Sequence, residues 1–217
     1  IYSSQGDTEH AIKSLSKALK LNPRDAISHF NMGNALQATG SLEAAIVSFR
    51  KGLDIQPKVA DVYYNIGNAL VGKGDLDAAI DSYKQALKLK PDYAEAYYNI
   101  GRALKDKGDL DAAIDSYQQA LKIRPDYAEA YNNMGNALTG QGKLEEAIEN
   151  FKQVLKIKPN FAEAYNNMGI SLQGKGEPDA AIDSYKVAIK IMPDYAEAYI
   201  NLGNALKAKG ELDDAIY

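Results

Sequence analysis

The side chains able to do chemistry here are few in kind but regular in spacing. Asparagine recurs at Asn31, Asn65, Asn99, Asn133, Asn167 and Asn201. A side-chain amide carries two N–H donors and a carbonyl acceptor, so a row of them can pair with the N–H and C=O of an extended chain together. Asp75, Asp77 and Asp81 form an acidic cluster that suggests a cation, but their spacing is not that of a calcium loop, and acids early in a helix already suit its dipole. The stretch 67–74 (GNALVGKG) nearly matches a phosphate loop, and 169–176 nearly matches another. Both lack the closing Ser or Thr that would hold magnesium, and both read as turns between helices. Cysteine is absent and histidine is confined to His10 and His29, which leaves no thiolate, no multi-histidine metal site and no serine–histidine–acid arrangement. Carboxylates are abundant but recur on the exposed face of every repeat, whereas a catalytic acid needs one distinctive environment. The reading is that no catalytic residue, metal or cofactor is carried by this segment, and an enzyme confined to it is not expected.

Composition narrows the partners. The 217 residues are 46% hydrophobic and 25% charged, with a formal charge of −4. That balance is globular, and it lacks the excess of Lys and Arg a nucleic-acid or anionic-membrane binder would cluster. No apolar run approaches the roughly 20 residues needed to cross a bilayer. No leader sequence is in view, so the default location is the cytoplasm, although the chain opens within a repeat.

What must position the asparagines is set by punctuation. Pro23, Pro57, Pro91, Pro125, Pro159 and Pro193 stand 34 residues apart. Two glycine series share the period: Gly33, Gly67, Gly101, Gly135, Gly169 and Gly203, then Gly6, Gly40, Gly74, Gly108, Gly142, Gly176 and Gly210. Whole segments return as well, LDAAIDSYKQALKLKPDYAEAYYNIG at 76–101 and LDAAIDSYQQALKIRPDYAEAYNNMG at 110–135. Such a period means stacked supersecondary units. The complete repeats are 26–59, 60–93, 94–127, 128–161 and 162–195, flanked by partial ones at 1–25 and 196–217, all in one array over 1–217.

Each repeat reads as two helices and no segment alternates as a strand. In 94–127 the first helix runs from about Ala94 to Asp106, and the second starts at Asp109, a natural N-cap, and ends before Pro125. At roughly 100° per residue, Tyr97, Ile100, Gly101 and Leu104 form the first core stripe, flanked by Ala96 and Ala103, while Glu95, Asn99, Arg102 and Asp106 face away. Leu110, Ala113, Ile114, Tyr117, Ala120 and Leu121 form the second stripe. One hairpin cannot bury both stripes, so neighbours must stack.

This pattern resembles the tetratricopeptide repeat. In 94–127 that family's slots are filled by Tyr97, Ile100 with Gly101, Leu104, Ala113, Tyr117, Ala120 and Pro125. One slot departs, holding Leu36, Leu70, Leu104, Leu138, Leu172 and Leu206 where the family usually has Tyr. His29 falls in the first aromatic slot and is therefore read as a core residue. The resemblance implies an all-α, right-handed superhelical solenoid of antiparallel helix hairpins, with the first helices lining a concave groove. A pentatricopeptide array, the nearest confusable family, fits poorly because its period is longer and its groove basic.

Two rows flank the asparagine ladder. Three residues on lie Asn34, Asn68, Arg102, Asn136, Ile170 and Asn204, and one residue before lie Phe30, Tyr64, Tyr98, Asn132, Asn166 and Ile200. The leading reading is a scaffold that holds an extended peptide or protein segment by its backbone, through the ladder with Asn68, Arg102, Asn136, Tyr64, Tyr98, Asn132 and Asn166. The ladder resembles the superhelix of O-linked N-acetylglucosamine transferase, which implies an alternative: a substrate-recruiting or self-associating part of a larger enzyme. A chaperone-type carboxylate clamp is not expected, because Glu95, Glu129, Glu163 and Glu197 stand where cations would be needed. The open stripe of Leu212, Ala215 and Ile216 suggests a piece of a longer array, or copies that meet end to end. Pro178 opens a helix at a position that tolerates it, and Gly52 in mid-helix costs about 1 kcal/mol.

Overall fold

A computed structural model describes the backbone of residues 2–210 and the side chains of residues 7–210. Leu212, Ala215 and Ile216, read above as an open apolar stripe, lie outside the described residues. The described chain holds twelve helices and no strand, and it divides into two compact units, Ile1–Lys107 and Gly108–Tyr217. The first unit contains α1 (Tyr2–Leu21), α2 (Ala26–Ala38), α3 (Leu42–Ile55), α4 (Ala60–Gly72), α5 (Leu76–Leu89) and α6 (Ala94–Asp106). The second contains α7 (Leu110–Ile123), α8 (Ala128–Gly140), α9 (Leu144–Ile157), α10 (Ala162–Lys175), α11 (Pro178–Ile191) and α12 (Ala196–Lys209). Each helix packs on the next within its unit, so each unit is a length of all-α repeat solenoid. First helices of successive hairpins also touch: α2 meets α4, α8 meets α10 and α10 meets α12.

Local chemistry sets the helix ends. Asp75 and Asp109 cap α5 and α7, each accepting from the backbone N–H three residues on at 3.2 Å. Pro178 sits in the first turn of α11, where its missing N–H costs no helical bond. The glycines after the first helices have positive φ, 80° at Gly74 and 74° at Gly142, and the residue after each returns its N–H to the helix, Asp75 to Leu70 at 3.0 Å and Lys143 to Leu138 at 2.9 Å. The near-matches to a phosphate loop are these turns. Gly6 differs from its series, because α1 runs through it unbroken.

The other glycine series has a different cause. A β-carbon added at Gly33 would lie 2.5 Å from the Phe49 ring, one at Gly135 2.7 Å from Phe151, and one at Gly169 2.5 Å from Tyr185. Gly67 stands in the same relation to Tyr83. In four hairpins an aromatic ring from the second helix thus rests on bare backbone of the first. With Tyr117, these rings are the deepest large side chains: Phe49, Phe151, Tyr185 and Tyr117 are 0% exposed and Tyr83 1%. Tyr97, expected in the centre of the first-helix stripe, is only half-buried, whereas the flanking Ala96 and Ala103 are sealed. Small side chains let the helices close on one another, and the phenol is left at the edge of the contact. His29 is buried, as its core reading requires.

Gly52 has an explanation that sequence reading missed. The Phe30 ring occupies the space a β-carbon at Gly52 would need, so the mid-helix glycine is the complement of that phenylalanine.

Polar ties run at a fixed separation of 30 residues. Lys73 pairs with Glu43, Lys107 with Asp77, Lys175 with Glu145 and Lys209 with Asp179. Asp77, from the acidic cluster, is thereby a salt-bridge partner and Asp75 a cap. Between Asp111 and Gln141 the tie is a hydrogen bond of 2.8 Å from an uncharged amide to the carboxylate, and the buried Gln141 Oε1 has no partner among the described residues.

Two outcomes are expected. Gly169→Ala forces the Tyr185 ring out of its seat and lowers stability by about 1–3 kcal/mol in urea unfolding. Gln141→Lys completes the series of ion pairs and raises Tm by about 1–3 °C, a gain that shrinks as salt is added.

Candidate functional site

The ladder asparagines project from the first helices, and four of them, Asn65, Asn99, Asn167 and Asn201, are tied to the repeat before. Asn65 Nδ2 donates to Asn34 Oδ1 at 3.0 Å. Asn99 Nδ2 donates to Asn68 Oδ1 at 3.2 Å and to the Tyr64 hydroxyl at 3.0 Å. In the second unit, Asn167 Nδ2 donates to Asn132 Oδ1 at 3.4 Å and Asn201 Nδ2 to Asn166 Oδ1 at 2.9 Å. The structural role of these amides is therefore neither backbone capping nor isolated solvation. It is the joining of adjacent repeats.

That arrangement fixes what each amide has left. Asn99 has both N–H groups engaged, while its Oδ1 accepts from no described residue. Asn68 Oδ1 accepts from Asn99 and, at 2.8 Å, from the Tyr83 hydroxyl, which uses both its lone pairs and leaves the Asn68 Nδ2 donors. So Asn99 presents an acceptor and Asn68 a donor. The sequence reading gave every ladder amide both functions at once. The network divides them between neighbouring positions instead. These residues line a cavity of about 240 Å³ with Val71, Tyr83, Arg102, Ala103 and Asp106. Burial pushes the Tyr83 phenol well above its ordinary range, so its hydroxyl keeps its proton and remains a donor.

The row one residue before the ladder departs from expectation. Asn132 is 4% exposed and Asn166 0%, so neither offers a surface to a ligand. Asn132 donates to Glu163 Oε1 at 3.0 Å and Asn166 to Glu197 Oε1 at 3.3 Å. Each is held at two points by the next repeat, by a glutamate and by the ladder asparagine one turn further on. The ligand-facing role assigned to Asn132 and Asn166 is corrected to that of bracing residues, because an amide in this row reaches partners of the next first helix before it reaches open space. Tyr64 acts similarly, stacking on Tyr93 with ring centroids 4.9 Å apart. Tyr98 is half-buried, with the Arg102 guanidinium 6.0 Å from its ring centre. Asn31 and Arg102 are exposed, and Asn133 and Asn136 are half-buried on the same helical row positions in the second unit.

The glutamates ahead of the ladder are engaged as well. Glu129 pairs with Lys158, whose ammonium holds the carboxyl below its usual range. Lys90, Arg124 and Lys158 lie over the rings of Tyr93, Tyr127 and Phe161, at 4.3, 4.7 and 5.9 Å from the ring centres. These contacts anchor the entry to the next first helix. Their sequence signal is a base three residues before an aromatic, at the repeat period.

The TPR repeat pattern matches in six overlapping stretches, at residues 1–40, 33–74, 67–108, 101–142, 135–176 and 174–210. The chain belongs to the tetratricopeptide repeat family. Solved TPR structures agree. The crystal structure of MamA is 30% identical with a TM-score of 0.73, covering 79% of this chain and 94% of that one. YrrB, described as a TPR protein with an unusual peptide-binding site, is 29% identical with a TM-score of 0.73, covering 92% of this chain and 99% of that one. PilF of Pseudomonas aeruginosa, at 21% identity and a TM-score of 0.74 over 89% of each chain, shares the fold. None of the curated proteins matches the chain. The chain thus has a TPR scaffold fold, and no described helix is long and apolar enough to cross a membrane.

Asn166→Ala removes a buried amide held at both ends and is expected to cost about 1–3 kcal/mol in chemical unfolding. Asn31→Ala, on an exposed residue, is expected to stay within about 0.5 kcal/mol of the parent protein.

Proposed function

We propose that the first-helix face of this TPR protein binds an extended peptide or protein segment by its backbone. The observation that carries the reading is the divided polarity of Asn68 and Asn99. An extended chain exposes N–H and C=O in alternation along its edge. A fixed acceptor at Asn99 and a fixed donor at Asn68 on the neighbouring repeat match that alternation, and neither amide needs reordering to bind. Holding the amides in place before the ligand arrives cuts the ordering cost of binding. Helix layers about 8–10 Å apart span roughly three residues of an extended ligand. The peptide-binding site named for YrrB supports the same class of ligand for a related array.

The ladder grips the backbone, and side-chain preference falls to what flanks it. In the first unit this is the exposed Arg102 beside Tyr98. In the second it is the exposed Ile170 and Ile200. The bound segment is read as a protein chain chosen chiefly by its extended form.

A library of displayed 12-residue peptides selected on the protein supplies the test, with affinities by calorimetry. Asn65→Ala with Asn99→Ala is expected to weaken the selected peptides at least 10-fold while the helical signal and a cooperative melt are retained. N-methylation of single ligand residues is expected to weaken binding only where an N–H meets a ladder carbonyl. Unchanged affinity in the double variant defeats the proposal.

A further inference from the structure

The repeats serve as controls for one another, and one interface breaks the pattern. A trough of about 1080 Å³ lies among α1, α2 and α3. The corresponding troughs hold about 440 Å³ between α3 and α5 and about 460 Å³ between α9 and α11. The large trough shares no lining residue with the asparagine ladder.

Three substitutions at repeat positions accompany it. His29 stands where later repeats have Tyr63, Tyr97, Tyr131, Tyr165 and Tyr199. The smaller ring leaves space, and its buried Nδ1 has no partner among the described residues. Val47, 44% exposed on the trough wall, stands where later second helices carry Asp81, Asp115, Glu149 and Asp183. Lys51 stands where they carry Gln85, Gln119, Gln153 and Val187.

The result is an apolar floor with a basic rim in a chain whose net charge is −4. Ile12, Leu19, Met32, Leu36, Val47 and Ile55 supply the floor. Lys20, Arg24 and Lys51 supply the rim. Against these cations stand Glu43, already paired with Lys73, and Asp54. The lining runs from Glu43 to Ile55 on α3, about 18 Å of helix at 1.5 Å per residue.

We propose that this trough is a docking site for an acidic amphipathic helix of a partner protein. Two or three turns fill its length, aliphatic side chains at i, i+3, i+4 and i+7 enter the floor, and Asp or Glu on the helix flanks meets Lys20, Arg24 and Lys51. Charge complementarity selects the occupant: an acid at position 47, as in the later repeats, would repel it, and Val47 removes that charge. The site works independently of backbone binding at the first-helix face.

The test uses the intact chain and a fluorescein-labelled 16-residue helix with Leu on one face and Glu elsewhere, read by anisotropy at low salt. The controls are the same peptide with Lys for Glu, and dodecanoate as a simple aliphatic anion. The Glu helix is expected to bind, the Lys helix at least 10-fold more weakly, and added salt to weaken the first. Val47→Asp with Lys51→Gln installs residues the later repeats already carry and is expected to lower affinity at least 10-fold with an unchanged melt. His29→Tyr, which fills the trough, is expected to weaken binding at least 5-fold. Equal binding of the two peptides, or parent affinity in the double variant, overturns the proposal. So does displacement of the peptide by equimolar dodecanoate, or sedimentation showing the trough closed by a second copy of the chain.

Discussion

Tyr185 leans on Gly169, Tyr83 on Gly67, Phe49 on Gly33 and Phe151 on Gly135, and nearly everything else in these units follows from that contact. A ring seated on bare backbone brings two helices closer than any side chain at the glycine would allow. The hairpin is thereby fixed at one separation, and the small residues beside it, such as Ala69 and Ala137, are sealed. The cost of the glycine within a helix is offset by burial of an entire aromatic side chain. The contact explains a tolerance too. Either Phe or Tyr serves, because the seat is shaped for a ring, and the Tyr hydroxyl reaches beyond it to Asn68 or Gln173. The Tyr185 phenol, buried to make this contact, is pushed up to about 12.

The same asparagines serve cohesion and, in the proposed binding mode, recognition. Their N–H groups join repeats, and that engagement decides which atoms remain for a ligand. A surface amide would otherwise rotate and offer either end. Here the Tyr64 hydroxyl and the Asn68 carbonyl hold the Asn99 amide nitrogen, and its oxygen accepts from no other residue among those described. Each hydrogen bond in such a network narrows the orientations its amides can take. In the second unit the arrangement deepens, with Glu163 and Glu197 completing the bonds of Asn132 and Asn166. Groove chemistry and array stability are therefore coupled through shared side chains.

Repetition supplies its own background against which departures can be weighed. Phe30 and Gly52 depart together and explain each other by packing. His29, Val47 and Lys51 depart together around one trough and change its volume and its charge. Gln141 departs alone and leaves a buried carbonyl oxygen unsatisfied.

The period, the helix pairs, the caps at Asp75 and Asp109 and the place of Pro178 were all legible in the order of residues, because each depends on neighbours within one or two turns. The core stripe of the second helix was legible for the same reason, down to Tyr117 and Ala120. The face carrying the asparagines could be named, but the fate of each amide could not. Asn132 and Asn133 are adjacent and chemically identical, yet Asn132 is sealed and Asn133 is half-buried. What separates such neighbours is a partner about 31 residues away on the next repeat, as Glu163 is for Asn132. The tertiary stack alone decides whether a helix face is an opening or a seam, because only stacking sets which side chains lie within hydrogen-bond reach.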